Sequence, residues 1–439
     1  MERFAMNRLI AWKEKGSRKP LIIHGARQVG KTWLMKEFGK RYYAQTAYVN
    51  FENSKLLQSL FDENYNIARI ITAIEIESGV KIDPANTLII FDEIQEAPGA
   101  ITSLKYFCEE ARQYHIVCAG SLLGVALHAH TSFPVGKVEF LNLYPLSFGE
   151  FLLAMDQRPL FDLLRSKDWS LIKSFKDKYT GMLREYYYVG GMPEAVSSFS
   201  LDKDFKEVRV IQKQILTSYE QDFSKHAPND VVPRIRMLWH SIPAQLAKEN
   251  KKFIYGAVRQ GARAKEYEDA LSWLIDCGLV YKINRVTKPG LPLISYEELN
   301  AFKLFILDVG LLGAMGDLDV KTLLDGTRIF EEFKGSLTEQ YVLEQFKPQN
   351  DIKVTYWSSD TTNNEIDFLI QLANEVIPVE VKAEENLMAK SLRAYCQKYN
   401  PTIAIRTSMS DYRKEDWLVN IPLYAMDELT DIVDKEEAI

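Results

Sequence analysis

"IIHGARQVGKTWLM", residues 22–35, decides the fold. Leu21, Ile22 and Ile23 make a short apolar run suited to a buried strand. Gly25–Thr32 read G-x-x-x-x-G-K-T, and Trp33, Leu34, Met35 and Phe38 suit one face of a following helix. Strand, glycine loop and helix in that order wrap successive backbone N–H groups around phosphates. Gly25 and Gly30 allow backbone angles that a side chain would forbid. Lys31 is expected to reach the β- and γ-phosphates, and the Thr32 hydroxyl to ligate Mg²⁺. The predicted cradle comprises Gly25, Ala26, Arg27, Gln28, Val29, Gly30, Lys31, Thr32 and Trp33.

A phosphate loop that hydrolyses ATP also needs an acid for the metal and a group that activates water. "TLIIFDE", residues 87–93, supplies both. Leu88–Phe91 are continuously apolar, as in a strand buried on both faces of a parallel sheet. An open α/β sheet places its ligand crevice at the C-terminal ends of such strands. Asp92 is expected to hold Mg²⁺, and Glu93 to orient or deprotonate the attacking water. "HIVCAGS" ends a further strand on Ser121, read either as a sensor of the γ-phosphate or as the cap of the next helix.

The chain has 439 residues, enough for two to four domains. Hydrophobic residues at 46% and charged residues at 26% exclude a disordered chain. Cys108, Cys118, Cys277 and Cys396 are scattered, which argues against a disulfide framework or a zinc site and fits a reducing, cytoplasmic compartment. No apolar run reaches the roughly 18 residues of a membrane helix, and no signal-peptide core is expected. With a net charge of −6, a role on DNA requires a local basic surface.

Apolar runs alternate with helical patterns over the first third: Ala47–Phe51, Leu88–Phe91 and Ile116–Ala119 read as strands, and Leu104–Tyr114 as a helix. Such alternation implies a parallel sheet covered by helices. In "VEFLNLYPLSFGEFLL" (138–153), Pro145 precedes a helix capped by Ser147 and Glu150, and "YYYVGGMPEAV" forces a turn. Residues 205–285 read as a helical module whose end, "YEDALSWLIDCGLVYKINRV", has the helix–glycine–strand order of a winged helix. Leu279, Tyr281 and Ile283 would alternate along that strand. With only Arg259, Arg263 and Lys265 nearby, a packing role fits this module better than DNA binding.

A third constellation lies toward the C-terminus. In "GSLTEQYVLEQF", Glu339 shares a helical stripe with Val342, Leu343 and Phe346, so its carboxylate points inward and needs a partner. Period two puts Glu365, Asp367 and Leu369 on one face of "NEIDFLI", and Glu380 with Lys382 on one face of "VIPVEVKA". If the two strands pair, Glu339, Asp367, Glu380 and Lys382 converge. Three carboxylates and a lysine suit a hydrolytic metal site, with Asp367 and Glu380 holding a second Mg²⁺ and Lys382 positioning water. The alternative is an acidic strand face neutralised by Lys382 in a structural ion-pair cluster.

"GARQVGKT", "LIIFDEIQ", "CAGS", "LYPLSFGEFL", "GGMPEAV", "KLFILDVGLL", "NEIDFLI" and "VEVKA", in this order, resemble a prokaryotic family of ATP-binding proteins. Its members join an AAA-type ATPase domain to a C-terminal domain of uncertain function that resembles the PD-(D/E)XK nucleases. The resemblance implies an α/β chain with a P-loop AAA-type domain over 1–155, a helical connector over 156–204, a winged-helix module over 205–295 and a nuclease-like domain over 296–439. It also implies an ATP site of Gly25, Gly30, Lys31, Thr32, Asp92 and Glu93 with Ser121 as sensor. The nuclease-like site would be Glu339, Asp367, Glu380 and Lys382. Relatives commonly carry Gly-Arg before the "LYPLSF" segment where this chain has Gly136-Lys137, which would replace a bidentate fork by a point charge.

The first reading is therefore Mg²⁺-dependent ATP hydrolysis coupled to a nuclease-like domain acting on DNA, in a homo-oligomer away from membranes. Lys382, Lys390, Arg393 and Lys398 favour a phosphate-bearing substrate, and Glu384 and Glu385 oppose it. The competing readings are a nucleotide-controlled oligomerisation switch whose C-terminal fold only docks partners, and a remodeller acting on protein.

Overall fold

The computed structural model describes the chain except residues 54–57, 62–63, 121–132, 249–250, 321–330, 350–351, 373, 386–388 and 438–439, and the side chains of 331–333 and 434–437. Two compact units are resolved: Glu2–Tyr144 with Asp276–Gly278, and Met1 with Pro145–Ile275 and Leu279–Ile439. The main division falls between Tyr144 and Pro145.

The loop-bearing unit is built on β1 (Leu21–His24), β2 (Gln45–Asn50), β3 (Thr87–Asp92), β4 (His115–Ala119) and β5 (Glu139–Asn142). Their order is β2-β3-β4-β1-β5, and every pair is parallel. All six residues of β3 are buried, as its unbroken apolar run requires of a strand covered on both faces. Helices Ala5–Glu14, Lys31–Tyr42, Ile67–Ser78 and Pro98–Glu110 belong to this unit. The last begins earlier than its apolar pattern suggested, because Pro98 supplies a helix start whose missing N–H costs nothing. Ile22, Val49, Ile89, Phe91, Leu104, Phe107 and Cys118 are all within 1% of full burial and share one core.

The second unit combines helices with an eight-stranded sheet in the order β12-β13-β11-β10-β9-β8-β6-β7. Its strands are β6 (Val280–Val286), β7 (Glu297–Ile306), β8 (Lys353–Ser358), β9 (Glu365–Leu372), β10 (Glu375–Val381), β11 (Ile405–Ser408), β12 (Arg413–Glu415) and β13 (Leu418–Pro422). The segment expected to end a winged helix contributes β6 to that sheet. Helix Glu268–Asp276 does turn at Gly278 into β6, but β6 pairs with β7 and, in parallel, with β8. A register shift between Asn284 and Arg285 breaks the alternation, so Val280, Ile283 and Val286 are the buried positions of β6.

Two quoted motifs turn out to be one structural device. Asp308 accepts from Gly191 N at 2.6 Å and from Leu311 N at 2.8 Å, capping helix Val309–Met315 while clamping the double glycine. Gly190 sits at φ 72°, and a Cβ on Gly191 would lie 2.2 Å from Leu146 O. Burial pushes the Asp308 carboxyl up to about 6. The cap expected at Ser147 and Glu150 is a reciprocal capping box. Among the described residues no helix is long and apolar enough to cross a membrane.

Candidate functional site

β1 delivers the chain into Gly25–Thr32, and the carboxyl end of β3 delivers Asp92 beside it. The loop is closely set. A Cβ at Gly25 would lie 2.2 Å from Leu143 O, and Gly30, at φ 94°, holds a left-handed angle where Lys31 starts its helix. Arg3, 8% exposed, donates to Val29 O at 3.1 Å and Tyr144 O at 2.6 Å, bracing the loop from outside. Sequence reasoning missed Arg3, which lies far from any motif.

Lys31 is buried, and its ammonium donates to Gly25 O at 2.8 Å and Ala26 O at 2.7 Å. Burial lowers its pKa to about 8, against the pull of Glu93 and Asp92. A cation held by the loop's own carbonyls is at the point where a phosphate would need it. Trp33, next to Thr32, is 41% exposed and takes no part in the core.

The deciding contact is Thr32 Oγ1 donating to Asp92 Oδ2 at 2.8 Å. A hydroxyl at the loop's end and a carboxylate at the strand's end thus share one point, and both are hard oxygen donors of the kind Mg²⁺ takes. Tyr48 OH also donates to Asp92 Oδ2, at 2.9 Å, and Glu93 N to Oδ1 at 3.1 Å. Burial and the Asp92 charge push the Tyr48 hydroxyl up to about 12, so it remains a donor. Tyr48 was not singled out in the sequence; its place on β2 in register with Ile90 brings it there. Glu93 adopts φ 50°, ψ 45°, an angle a non-glycine residue holds only under surrounding constraint, and its Oε2 accepts from Gln95 at 2.7 Å. Ser121, the candidate sensor, lies outside the described residues. Lys137 is ion-paired with Glu109 at 2.8 Å.

Residues 17–152 match the family model of an AAA domain. This unit is therefore a P-loop domain of the AAA ATPase type. Residues 180–322 match a domain of unknown function (DUF8612), and residues 334–426 another (DUF4143). No curated protein matches the chain. Among solved structures, the Walker-type ATPase PABY2304 of Pyrococcus abyssi is 14% identical, with 71% of this chain and 94% of that one covered at a TM-score of 0.44. The Aeropyrum pernix ORC1 protein in complex with DNA is 11% identical (72% and 91% covered, TM-score 0.28). Cdc6p from Pyrobaculum aerophilum is 12% identical (73% and 92% covered, TM-score 0.26). These three likenesses are too distant to carry function.

The four residues expected to converge pair off as Glu339 with Asp367 and Glu380 with Lys382, and Asp367 Oδ2 accepts from Val381 N, between Glu380 and Lys382, at 2.8 Å. Glu339 and Asp367 interact, and the cations beside them are Lys251, bonded to Glu339 Oε1, and Lys303, 3.7 Å from Glu339 Oε2 and 2.5 Å from Glu365 Oε1. Glu380 instead pairs with Lys382 at 2.6 Å and accepts from Leu392 N at 3.2 Å. The cause is a bulge. The β8–β9 register shifts between Thr355 and Trp357, which breaks the period of two at Asp367 and Phe368. Phe368 packs on Phe346 of helix Glu331–Phe346, whereas Ile366 and Leu369 join a core with Leu392. Leu369 thus leaves the face that Glu365 and Asp367 share. Val379 pairs with Phe368, so Glu380, next along β10, turns to the opposite face. Among the described residues no group of three or more His, Cys, Asp or Glu is placed to hold a metal. Burial and the Glu339 carboxylate hold the Asp367 carboxyl well above the usual carboxylate range, which lets it donate a proton to Glu339.

Proposed function

We propose that the chain binds ATP with Mg²⁺ at Gly25–Thr32 and hydrolyses it. The observation that carries this reading is the Thr32–Asp92 contact at 2.8 Å, at the meeting point of loop and strand. The fit is chemical. A buried lysine, a ring of backbone donors and two hard oxygen ligands suit a metal-bound polyphosphate, with Thr32 and Asp92 holding the metal. When bound, Mg²⁺ would neutralise charge that builds on the transferring phosphate. Lys31 would exchange its bonds to Gly25 O and Ala26 O for phosphate oxygens. Glu93, oriented by Gln95, would accept the proton of the attacking water. Purified protein should release phosphate from ATP only with Mg²⁺. Lys31→Ala should lose nucleotide binding, and Asp92→Asn the metal requirement's normal range. A Glu93→Gln variant that hydrolyses ATP at the wild-type rate would remove Glu93 from the reaction.

For the second unit, the pairing of Glu339 with Asp367 and of Glu380 with Lys382 favours a non-catalytic docking fold that answers the nucleotide state over a DNA-cutting one. Its basic side chains support the same choice. Arg393 lies over Trp417 at 5.4 Å and Lys398 over Trp357 at 5.7 Å, while Glu384 and Glu385 pair with Lys334 and Lys176. ATP-dependent self-association belongs to this reading. Incubation with linear, branched and single-stranded DNA, with and without ATP and Mg²⁺, decides between the two: cleavage of any form, lost in Asp367→Ala, would restore the nuclease reading.

A further inference from the structure

Two cations hold the carbonyls of the phosphate loop. Lys31 takes those of Gly25 and Ala26, and Arg3 Nη1 takes that of Val29 at 3.1 Å. The Val29 carbonyl shares one peptide group with the N–H of Gly30, the last loop amide before Lys31 opens its helix. Gly30 stands at φ 94°, and a glycine takes negative φ as readily as positive. It therefore supplies no side chain to stop the Val29–Gly30 peptide from turning over. That reversal would put a carbonyl oxygen in place of an N–H where the loop presents donors to phosphate.

Arg3 is placed to prevent it. It lies two residues ahead of helix Ala5–Glu14, whose Met6, Leu9 and Trp12 are buried. The Trp12 ring meets Phe38 of the loop's own helix at 6.4 Å between centroids, so the support of Arg3 is fixed to that helix. Arg3 Nη2 donates to Tyr144 O at 2.6 Å. Tyr144 follows Leu143, whose N–H donates to His24 O at 2.7 Å and whose carbonyl oxygen stands 2.2 Å from where a Gly25 Cβ would be. The guanidinium thus links the support of the loop's first glycine to the peptide of its second. All of these groups lie in the loop-bearing unit. A planar fork holds two carbonyls in one fixed geometry. A cation on a carbonyl oxygen also polarises the amide and strengthens its N–H as a donor.

We propose that Arg3 is a positioning residue for the nucleotide: it locks the Val29–Gly30 peptide with its carbonyl on the guanidinium and its N–H free for phosphate, and so sets ATP affinity through the loop. The inference rests on the reading of Gly25–Thr32 as an ATP site and adds to it a residue outside the loop motif. The locked amide is offered alike to bound ATP and to the transition state. The lock therefore acts on binding and leaves turnover of the bound nucleotide unaltered.

Steady-state hydrolysis and equilibrium binding of a fluorescent ATP analogue, both with Mg²⁺, test it in full-length Arg3→Met, which keeps an unbranched side chain and loses both donors. KM and the dissociation constant should rise together by about tenfold or more, the scale of a hydrogen bond from a charged group. The value of kcat should stay within about twofold of wild type, because uniform binding is what is lost. Arg3→Lys, a cation with a single point of contact, should recover part of the affinity. A merely structural role would instead lower kcat and thermal stability together at unchanged KM. An unchanged KM in a folded Arg3→Met chain would overturn the inference and leave the ATP reading standing, as would a loss confined to kcat. A wild-type chain that binds no nucleotide would remove the ATP reading and this inference with it. If Arg3→Met does not fold, Arg3→Gln, which keeps a neutral donor, takes its place with the same expected split between KM and kcat. Should that chain also fail to fold, Arg3 is a structural residue and the inference falls.

Discussion

Tyr48→Phe removes one oxygen from the molecule and tests how Asp92 is held. The phenol donates to Asp92 Oδ2 at 2.9 Å, one of three bonds to that carboxylate among the described residues, with Thr32 at 2.8 Å and Glu93 N at 3.1 Å. A ring remains in the variant, so the packing of Lys36, whose ammonium lies 3.9 Å from the ring centre, is kept. With Thr32 committed to a metal, Asp92 would retain Tyr48 and the Glu93 amide among the described residues, so the phenol is one of the two bonds that then orient it. A hydrogen bond to a charged group contributes about 1.5–3 kcal/mol. Because Tyr48 is only partly buried, the lower end applies, and about 1.4 kcal/mol is tenfold in an equilibrium. Phosphate release measured across a Mg²⁺ titration should therefore show the half-saturating Mg²⁺ concentration rise about tenfold, with little change in thermal stability. The hydroxyl stays protonated to about 12, so the difference from wild type should persist unchanged across neutral pH. An unchanged Mg²⁺ titration would refute the placement of Asp92 as the metal ligand that Tyr48 positions.

Glu93→Gln should bind ATP with near wild-type affinity and turn it over at least about a hundredfold more slowly, the scale of general-base catalysis, in a single-turnover assay. Lys31 has its pKa lowered from 10.5 to about 8. The folded state therefore binds fewer protons than the unfolded one between those values, and stability rises with pH through that window by up to about 3 kcal/mol. Chemical unfolding of nucleotide-free wild type and Lys31→Met from pH 7 to 10.5 should show wild type gaining on the variant; a constant difference would count against the buried charge. Gly191→Ala should destabilise the second unit by several kcal/mol, because its Cβ would lie 2.2 Å from the Leu146 carbonyl oxygen, which belongs to the backbone and cannot turn aside. Light scattering of Glu93→Gln with and without ATP should show nucleotide-dependent association, and a monomer in both conditions would remove the oligomer reading.

The sequence alone determined what depends on local spacing. G-x-x-x-x-G-K-T sets loop angles and a helix start within eight residues, an unbroken apolar strand ends in Asp92 and Glu93, and Ser147 with Glu150 writes a cap one turn long. Each is a constraint between neighbours, so it survives without knowledge of the rest of the chain. Tertiary structure decided whatever depends on pairing over long separations. Tyr48 reaches Asp92 because β2 and β3 pair in one register, and Arg3 reaches Val29 across the unit. The double glycine is explained by Asp308, 117 residues from Gly191, and by the Leu146 carbonyl. The C-terminal acids show the same limit from the other side. Period-two reading put Glu365, Asp367 and Leu369 on one face of their strand, and a single bulge on β9 moved Leu369 to the other face, because a one-residue shift reverses every side chain beyond it. The lysines that answer Glu339 come from residues 251 and 303, outside every motif, since a buried charge is neutralised by whatever the fold brings near it.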